Sequence, residues 1–309
     1  MHNIKTMGAF KNCLLKVIAV LVLSLFIHNS FAQIKPSTAE ERQKGLAVRK
    51  ELEKKSLLKD VKFRNIGPSI MSGRVVDIEA NPEDPTEFYV AYATGGLWHT
   101  KNNGQSFTPI FDNEDVITIG DIAVKWYGAR VLWVGSGEVN SSRSSYAGNG
   151  VYKSSDNGKT WEYLGLPESH HIGKIQLHPT DPNTAWVAAL GHLYSPNKER
   201  GVFKTTDGGK TWKHTLFVDE NTGAVEMDIN PNNPMELYAA VWYKTRRAWK
   251  FEESGPSTGI YKSTDGGNTW ALVTGAGSGF AEGKKLGRIG LCVFPQNPNI
   301  VYAIIDNNE

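Results

Sequence analysis

The 309-residue chain predicts an all-β fold, a β-propeller of four-stranded blades, incomplete here at about four and a half blades. Three observations predict it. An eight-residue turn occurs as Ser154-Ser155-Asp156-Asn157-Gly158-Lys159-Thr160-Trp161, again from Thr205 through Asp207 and Gly209 to Trp212, and again from Ser263 through Asp265 and Gly267 to Trp270. A weaker copy runs from Thr100 to Phe107. Between the third residues of successive copies the steps are 54, 51 and 58 residues, the spacing of one repeated supersecondary unit. Finally, pairs of prolines recur ahead of these turns, at Pro82/Pro85, Pro179/Pro182, Pro231/Pro234 and Pro295/Pro298.

Each element follows in order. In residues 1–32, Lys5, Lys11 and Lys16 precede an apolar run over 17–27, and Ser30-Phe31-Ala32 supplies small residues at a cleavage position. This reads as a secretory signal peptide, too short for a membrane span, and places the mature chain outside the cytoplasm. Without it the charge changes from +2 to 31 basic against 32 acidic residues, net −1, which gives no electrostatic case for nucleic acid or anionic membrane. Cys13 leaves with the segment, so Cys292 has no intrachain partner; its apolar neighbours predict a buried core thiol. Residues 33–60 read as a charged helical lead-in, with Glu40/Lys44 and Glu51/Lys55 spaced four apart.

Residues 61–309 carry the blades. In the fourth repeat 225–230 alternates apolar and polar residues as a half-buried strand does. The Pro-Asn-Asn-Pro turn follows, because Pro presets φ and Asn tolerates left-handed geometry. Residues 237–243 form a second, more apolar strand, 259–262 a third, and the eight-residue turn leads into a fourth at 270–273. The other repeats parse alike, except that the second replaces the prolines with Tyr127-Gly128-Ala129-Arg130. Within the turns, Asp156, Asp207 and Asp265 are expected to accept backbone N–H groups, Gly158, Gly209 and Gly267 to supply positive φ, and Trp161, Trp212 and Trp270 to pack into the blade. These are structural roles, and the spacing does not match a calcium-binding loop.

Strand alternation puts the Pro turns and the eight-residue turns on one face. The long second-to-third-strand loops, 135–149, 191–200 and 242–258, fall on the other, and insertions in repeat proteins collect on the binding face. The candidate ligand-binding residues there are Arg143, Tyr146, His192, Tyr194, Arg200, Trp242, Tyr243, Arg246, Arg247 and Trp249. Aromatic planes beside guanidinium forks suit sugars or extended peptides. Glu138 is the one weak catalytic candidate, with Glu199, Asp219 or a residue beyond Glu309 as its partner. His170, His171 and His178 lack a recognisable ligand spacing, so neither metal nor cofactor is expected.

The eight-residue turn is similar to the Asp box of bacterial neuraminidase (BNR) repeats. From about Phe63 onward the chain resembles secreted bacterial proteins of the sortilin-like and xyloglucanase-like superfamily, on Phe63-Arg64-Asn65-Ile66-Gly67-Pro68, Gly73-Arg74, Thr94-Gly95-Gly96, Gly135-Ser136-Gly137-Glu138 and the turns themselves. The resemblance implies a propeller that binds peptides, as sortilin types do, or cuts β-glucans with paired Asp residues. Xyloglucanase types carry one catalytic Asp in a Thr-Asp-x-Gly-Gly stretch. Here Tyr92-Ala93-Thr94-Gly95-Gly96 puts Ala93 at that place, and Arg64 is only a weak counterpart of a sialidase arginine. The expected function is therefore an exported, non-catalytic recognition or scaffold module for a peptide or glycan. The alternative is a xyloglucanase- or sialidase-like glycoside hydrolase with its carboxylates outside that first-blade position or beyond Glu309.

Overall fold

A computed structural model describes residues 37–61, 73–140, 145–247, 249–281 and 286–307. The signal-peptide reading of 1–32, the stretch Phe63 to Pro68 and Arg143 lie outside them. Helix α1 (Ala39–Lys55) has Glu40 and Glu41 in its first turn and Lys54 and Lys55 in its last, complementing the helix dipole. It buries none of its residues, as its scarce apolar positions require.

The strands then come in sets of four. The first sheet is β1 (Val75–Ala80), β2 (Phe88–Tyr92), β3 (Gly96–Thr100) and β4 (Thr108–Pro109). The second is β5 (Ile119–Lys125), β6 (Val131–Ser136), β7 (Val151–Ser154) and β8 (Glu162–Tyr163); the third is β9 (Ile172–Leu177), β10 (Ala185–Ala189), β11 (Gly201–Thr205) and β12 (Lys213–Leu216). The fourth begins with β13 (Thr222–Ile229) and β14 (Leu237–Tyr243). A separate hairpin of β15 (Thr245–Arg246) and β16 (Phe251–Glu252) follows, before β17 (Gly259–Ser263) and β18 (Ala271–Leu272) complete the sheet. The fifth shows β19 (Leu286–Val293) and β20 (Val301–Asn307). Among the described residues every pairing is antiparallel, every sheet follows chain order, and the sheets of this β-propeller do not close into a ring.

Successive sheets pack face to face, and the cores sit between them. Tyr89, Leu97 and Phe111 meet Ile122, Leu132 and Tyr152 between the first two sheets. Trp133 and Leu164 meet Ile175 and Val187 at the next seam, and Trp186, Val202 and Leu216 meet Met227 and Ala239 at the third. Each fully buried Leu or Val contributes roughly 1.5–3 kcal/mol, so the seams, more than the ladders, hold the array.

The eight-residue turns add a staple at each seam. Their fourth positions, Asn103, Asn157, Gly208 and Gly266, have φ of 56°, 65°, 77° and 72°, and a glycine at positive φ follows each. Only Gly or Asn fits there readily, which is why the motif is legible. The hydroxyls of Ser154, Thr205 and Ser263 accept the N–H of Gly158, Gly209 and Gly267 at 2.8, 2.9 and 2.8 Å. The carboxylates of Asp156, Asp207 and Asp265 accept the backbone N–H of Thr160, Thr211 and Thr269, each at 2.9 Å. The Thr160 and Thr211 hydroxyls, donating to Asp156 and Asp207 at 2.6 Å, together with those backbone bonds hold the two carboxyls down at about 2. The tryptophans reach further than the sequence suggests, donating across the seam to the preceding sheet. Trp161 Nε1 bonds the Ile110 carbonyl at 2.7 Å and Trp212 Nε1 the Leu164 carbonyl at 2.8 Å, while Trp270 Nε1 meets Thr215 Oγ1 at 3.3 Å.

A second link runs along the first strands, β1, β5, β9, β13 and β19, which lie side by side. Asp77 accepts the Ile122 N–H at 3.3 Å, Asp121 the Ile175 N–H at 2.7 Å and Asp228 the Val293 N–H at 2.8 Å. Burial pushes Asp121 well above the usual carboxylate range, while Lys174 at 3.1 Å draws it back. Cys292 departs from expectation. It lies exposed on β19, on a face that no further sheet covers among the described residues.

Candidate functional site

The topology places the second-to-third-strand loops and the sheet-to-sheet connections on one face. There the structure sorts the candidate residues into two groups.

The first group works inside the fold. Arg200 is fully buried and donates to three carbonyls: Asn221 at 2.9 Å, Lys244 at 2.9 Å and His192 at 2.5 Å. Trp242 is 2 % exposed, packed with Val139, Leu190, Leu193 and Val225, and its Nε1 donates to the Glu253 carbonyl at 2.6 Å. Neither offers a surface to a ligand, because the loops fold back over both. Arg246 is buried with its guanidinium 4.9 Å from the Phe251 ring centroid. Tyr243 is half-buried behind Gly255. Glu138 is fully buried and ion-paired with Arg74, whose Nε lies 2.6 Å from Oε1. Asp219 caps the turn at Asn221 and Thr222, at 2.7 and 3.0 Å. Lys244 was not foreseen in this role: its side chain is buried, with Nζ 4.1 Å from the Trp242 ring centroid, and burial depresses it to about 8.

The second group meets solvent. Trp249 is 82 % exposed at the tip of the β15–β16 hairpin, beside exposed Arg247, whose N–H closes the tip on the Lys250 carbonyl at 2.7 Å. Tyr146 and Tyr194 are about half exposed. Ala93, at the place the resemblance reserves for a carboxylate, is fully buried and bonds the Arg74 carbonyl through its N–H at 2.9 Å.

His192 stands between the groups. Its Nε2 lies 3.0 Å from Glu168 Oε2, and its ring stacks on His170 at 3.7 Å. The three histidines weighed together in the sequence are separated by the fold. His171 is buried, with Nδ1 2.7 Å from the Glu138 carbonyl, and His178 caps the Thr180-Asp181 turn on the opposite face. Burial, with His192 and Arg42 beside it, lowers His170 to about 3. Among the described residues, the group whose donor atoms lie close enough to share an ion is Glu168, His170 and His192.

The opposite face holds a cleft of about 620 Å³ that sequence reasoning missed, walled by Trp126, Tyr127, Trp133 and His178 with Glu79 and Lys174. Burial and neighbouring Asp77 push the Glu79 carboxyl up to about 7, against the pull of Lys174. The available signal was a pair of charges at first-strand positions that alternation assigns to solvent.

Comparison with known proteins agrees with this architecture. The family described as "Sortilin, neurotensin receptor 3" matches residues 149–286. A probable oligoxyloglucan-reducing end-specific xyloglucanase of Neosartorya fischeri is 24% identical over 222 residues, 68% of this chain and 25% of that protein. The Emericella nidulans enzyme of the same description is 29% identical over 126 residues, 40% of this chain and 14% of its own length. The chain thus spans a quarter or less of these relatives. Among solved structures, a GH74 enzyme from Niastella koreensis superposes with a TM-score of 0.52 at 19% identity, covering 75% of this chain and 35% of that one. Sequence and fold together show a β-propeller similar to proteins of the sortilin-like and xyloglucanase-like family.

Proposed function

We propose that this is an exported Asp-box propeller that recognises a glycan on its loop-rich face, without cutting it. The observation that carries the reading is the β15–β16 hairpin, which raises Trp249, 82 % exposed, two residues from exposed Arg247. An aromatic plane presented to solvent matches the apolar face of a pyranose, and a guanidinium fork matches its hydroxyls. Tyr146 and Tyr194 extend the aromatic surface across neighbouring loops. Relatives named for oligoxyloglucan make β-glucan fragments the first ligands to try.

The test is calorimetric titration with xyloglucan oligosaccharides, comparing the chain with an Arg247→Ala/Trp249→Ala variant. Both residues are exposed, so stability should change by no more than about 0.5 kcal/mol. Loss of glycan binding supports the reading. Unchanged binding refutes the placement, and binding of extended peptides alone would make this a peptide receptor. The second reading, a glycoside hydrolase, is favoured by the xyloglucanase relatives and would require the fully buried Glu138 to be uncovered from its pair with Arg74 to serve as one carboxylate. Reducing-sugar release that disappears in Glu138→Gln would establish it.

A further inference from the structure

We propose that Glu168, His170 and His192 bind one divalent transition-metal ion, with Zn2+ the best match. The three residues come from two separate segments. Glu168 and His170 lie in the connection from β8 to β9, and His192 lies in the loop from β10 to β11.

The donor separations fit before any ion arrives, and the His170 and His192 rings, stacked with 24° between their planes, must turn apart to aim both nitrogens at one ion. One donor atom from each residue lies within 4.8 Å of the other two. Glu168 Oε2 is 3.5 Å from His170 Nε2 and 3.0 Å from His192 Nε2. Donors about 2.0–2.1 Å from a tetrahedral ion stand roughly 3.3 Å apart, so the two measured separations bracket the requirement. Two imidazoles and one carboxylate suit Zn2+ and its transition-metal neighbours, whereas Ca2+ and Mg2+ select all-oxygen sites. Three protein ligands leave a fourth position for water. The ligand side chains are 27 %, 13 % and 12 % exposed, so an ion can reach them from the loop-rich face.

The backbone holds the donors in place. His170 adopts φ 51°, a left-handed conformation that a non-glycine residue keeps only where neighbours impose it. Its carbonyl accepts the Gly148 N–H at 2.6 Å, and His171 is pinned through Nδ1 to the Glu138 carbonyl at 2.7 Å. His192 is clamped twice: Asn197 Oδ1 accepts its N–H at 3.2 Å, and Arg200 Nη2 donates to its carbonyl at 2.5 Å. The buried arginine thus positions a ligand. Arg42 holds the carboxylate from outside, with Nη2 3.2 Å from Glu168 Oε2 and 2.6 Å from the Pro167 carbonyl. A carboxylate has lone pairs enough to keep that donor while it turns one toward the imidazoles, the outer partner that metal-bound carboxylates commonly have.

The experiment titrates chelator-stripped full chain with ZnCl2 by calorimetry, and separately with Co2+ by visible absorption. One ion per chain, with the intense bands of tetrahedral Co2+, is expected. Glu168→Gln and His192→Asn should each weaken binding by about tenfold or more, while His178→Asn, on the opposite face, should leave affinity unchanged. Circular dichroism of each variant separates loss of a ligand from loss of fold, and Glu168→Gln serves if His192→Asn does not fold. Absence of uptake, affinity unchanged in Glu168→Gln and His170→Asn, or preference for Ca2+ over Zn2+ would each overturn the assignment.

Discussion

Glu79→Gln isolates the energetic cost of the half-buried carboxyl in the wall of the 620 Å³ cleft. Burial raises this carboxyl from the usual 4.5 to about 7, with Asp77 adding to the rise and Lys174 opposing it. At 1.36 kcal/mol per pH decade, that difference amounts to about 3 kcal/mol. Below pH 4.5 both folded and unfolded chains carry the proton, and Glu79 contributes nothing to pH dependence. Between 4.5 and 7 the unfolded chain ionises while the folded one resists, so stability falls as pH rises. Above 7 the loss is complete. Gln cannot ionise and matches the neutral acid in shape, so the variant should equal the parent at pH 4 and exceed it by up to about 3 kcal/mol at pH 8. Urea unfolding of both chains at fixed ionic strength, from pH 4 to 8, reads the difference with the other carboxylates cancelling. Parallel curves, or a parent that gains on Glu79→Gln as pH rises, would refute the argument.

Two further outcomes follow from the seams and the connections. Trp212→Ala should cost about 3 kcal/mol for its partly buried ring, while Trp212→Phe, which keeps an aromatic ring but leaves the Leu164 carbonyl without its donor, should cost about 1–2; chemical denaturation of both variants checks the order. Gly137→Ala puts a Cβ 1.8 Å from the His170 carbonyl oxygen at φ 89°, and should lower stability by more than about 4 kcal/mol or abolish soluble folding. Gly128→Ala has a similar φ of 76° with no atom within 4 Å, and should cost only about 1 kcal/mol. Thermal melting of the pair separates a steric clash from backbone strain.

The fold was legible because its signals are local. Positive φ at Asn103, Asn157, Gly208 and Gly266 admits few residue types, and paired prolines mark the first turns, so the blade can be read from a few residues at a time. Contacts across seams leave no such trace. Nothing near Trp212 in sequence announces Leu164, 48 residues earlier, and nothing near His192 announces Glu168. The charged first-strand positions Asp77, Asp121 and Lys174 look like the solvent side of an alternating strand. Asp77 and Asp121 are instead turned toward the next blade, where they tie its backbone, and Lys174 reaches back to Asp121 of the preceding one. Composition also ranked Arg200 and Trp242 with Arg247 and Trp249, although the first two lie beneath the loops and the last two lie on them.

That division has a physical basis in what a long loop must satisfy. A loop that leaves the sheet carries carbonyls with no ladder partner, and burying them unpaired costs about 1–3 kcal/mol each. Arg200 supplies donors in a fixed planar fork, enough for three carbonyls from three segments, which a lysine could not reach together. Burial lowers its guanidinium to about 10, still well above neutral pH, so it remains charged while doing this. Trp242 fills the space beneath, with its one polar atom bonded to Glu253 of the same loop. Held from below in this way, the β15–β16 hairpin can present Trp249 to solvent with no structural duty of its own. The same buried arginine fixes the backbone of His192, so one anchor serves both the proposed glycan surface and the proposed metal site. Aromatic and basic residues in these loops therefore divide by a single criterion: those that satisfy loop carbonyls or fill the space beneath are committed to the fold, and those that do neither remain for a ligand.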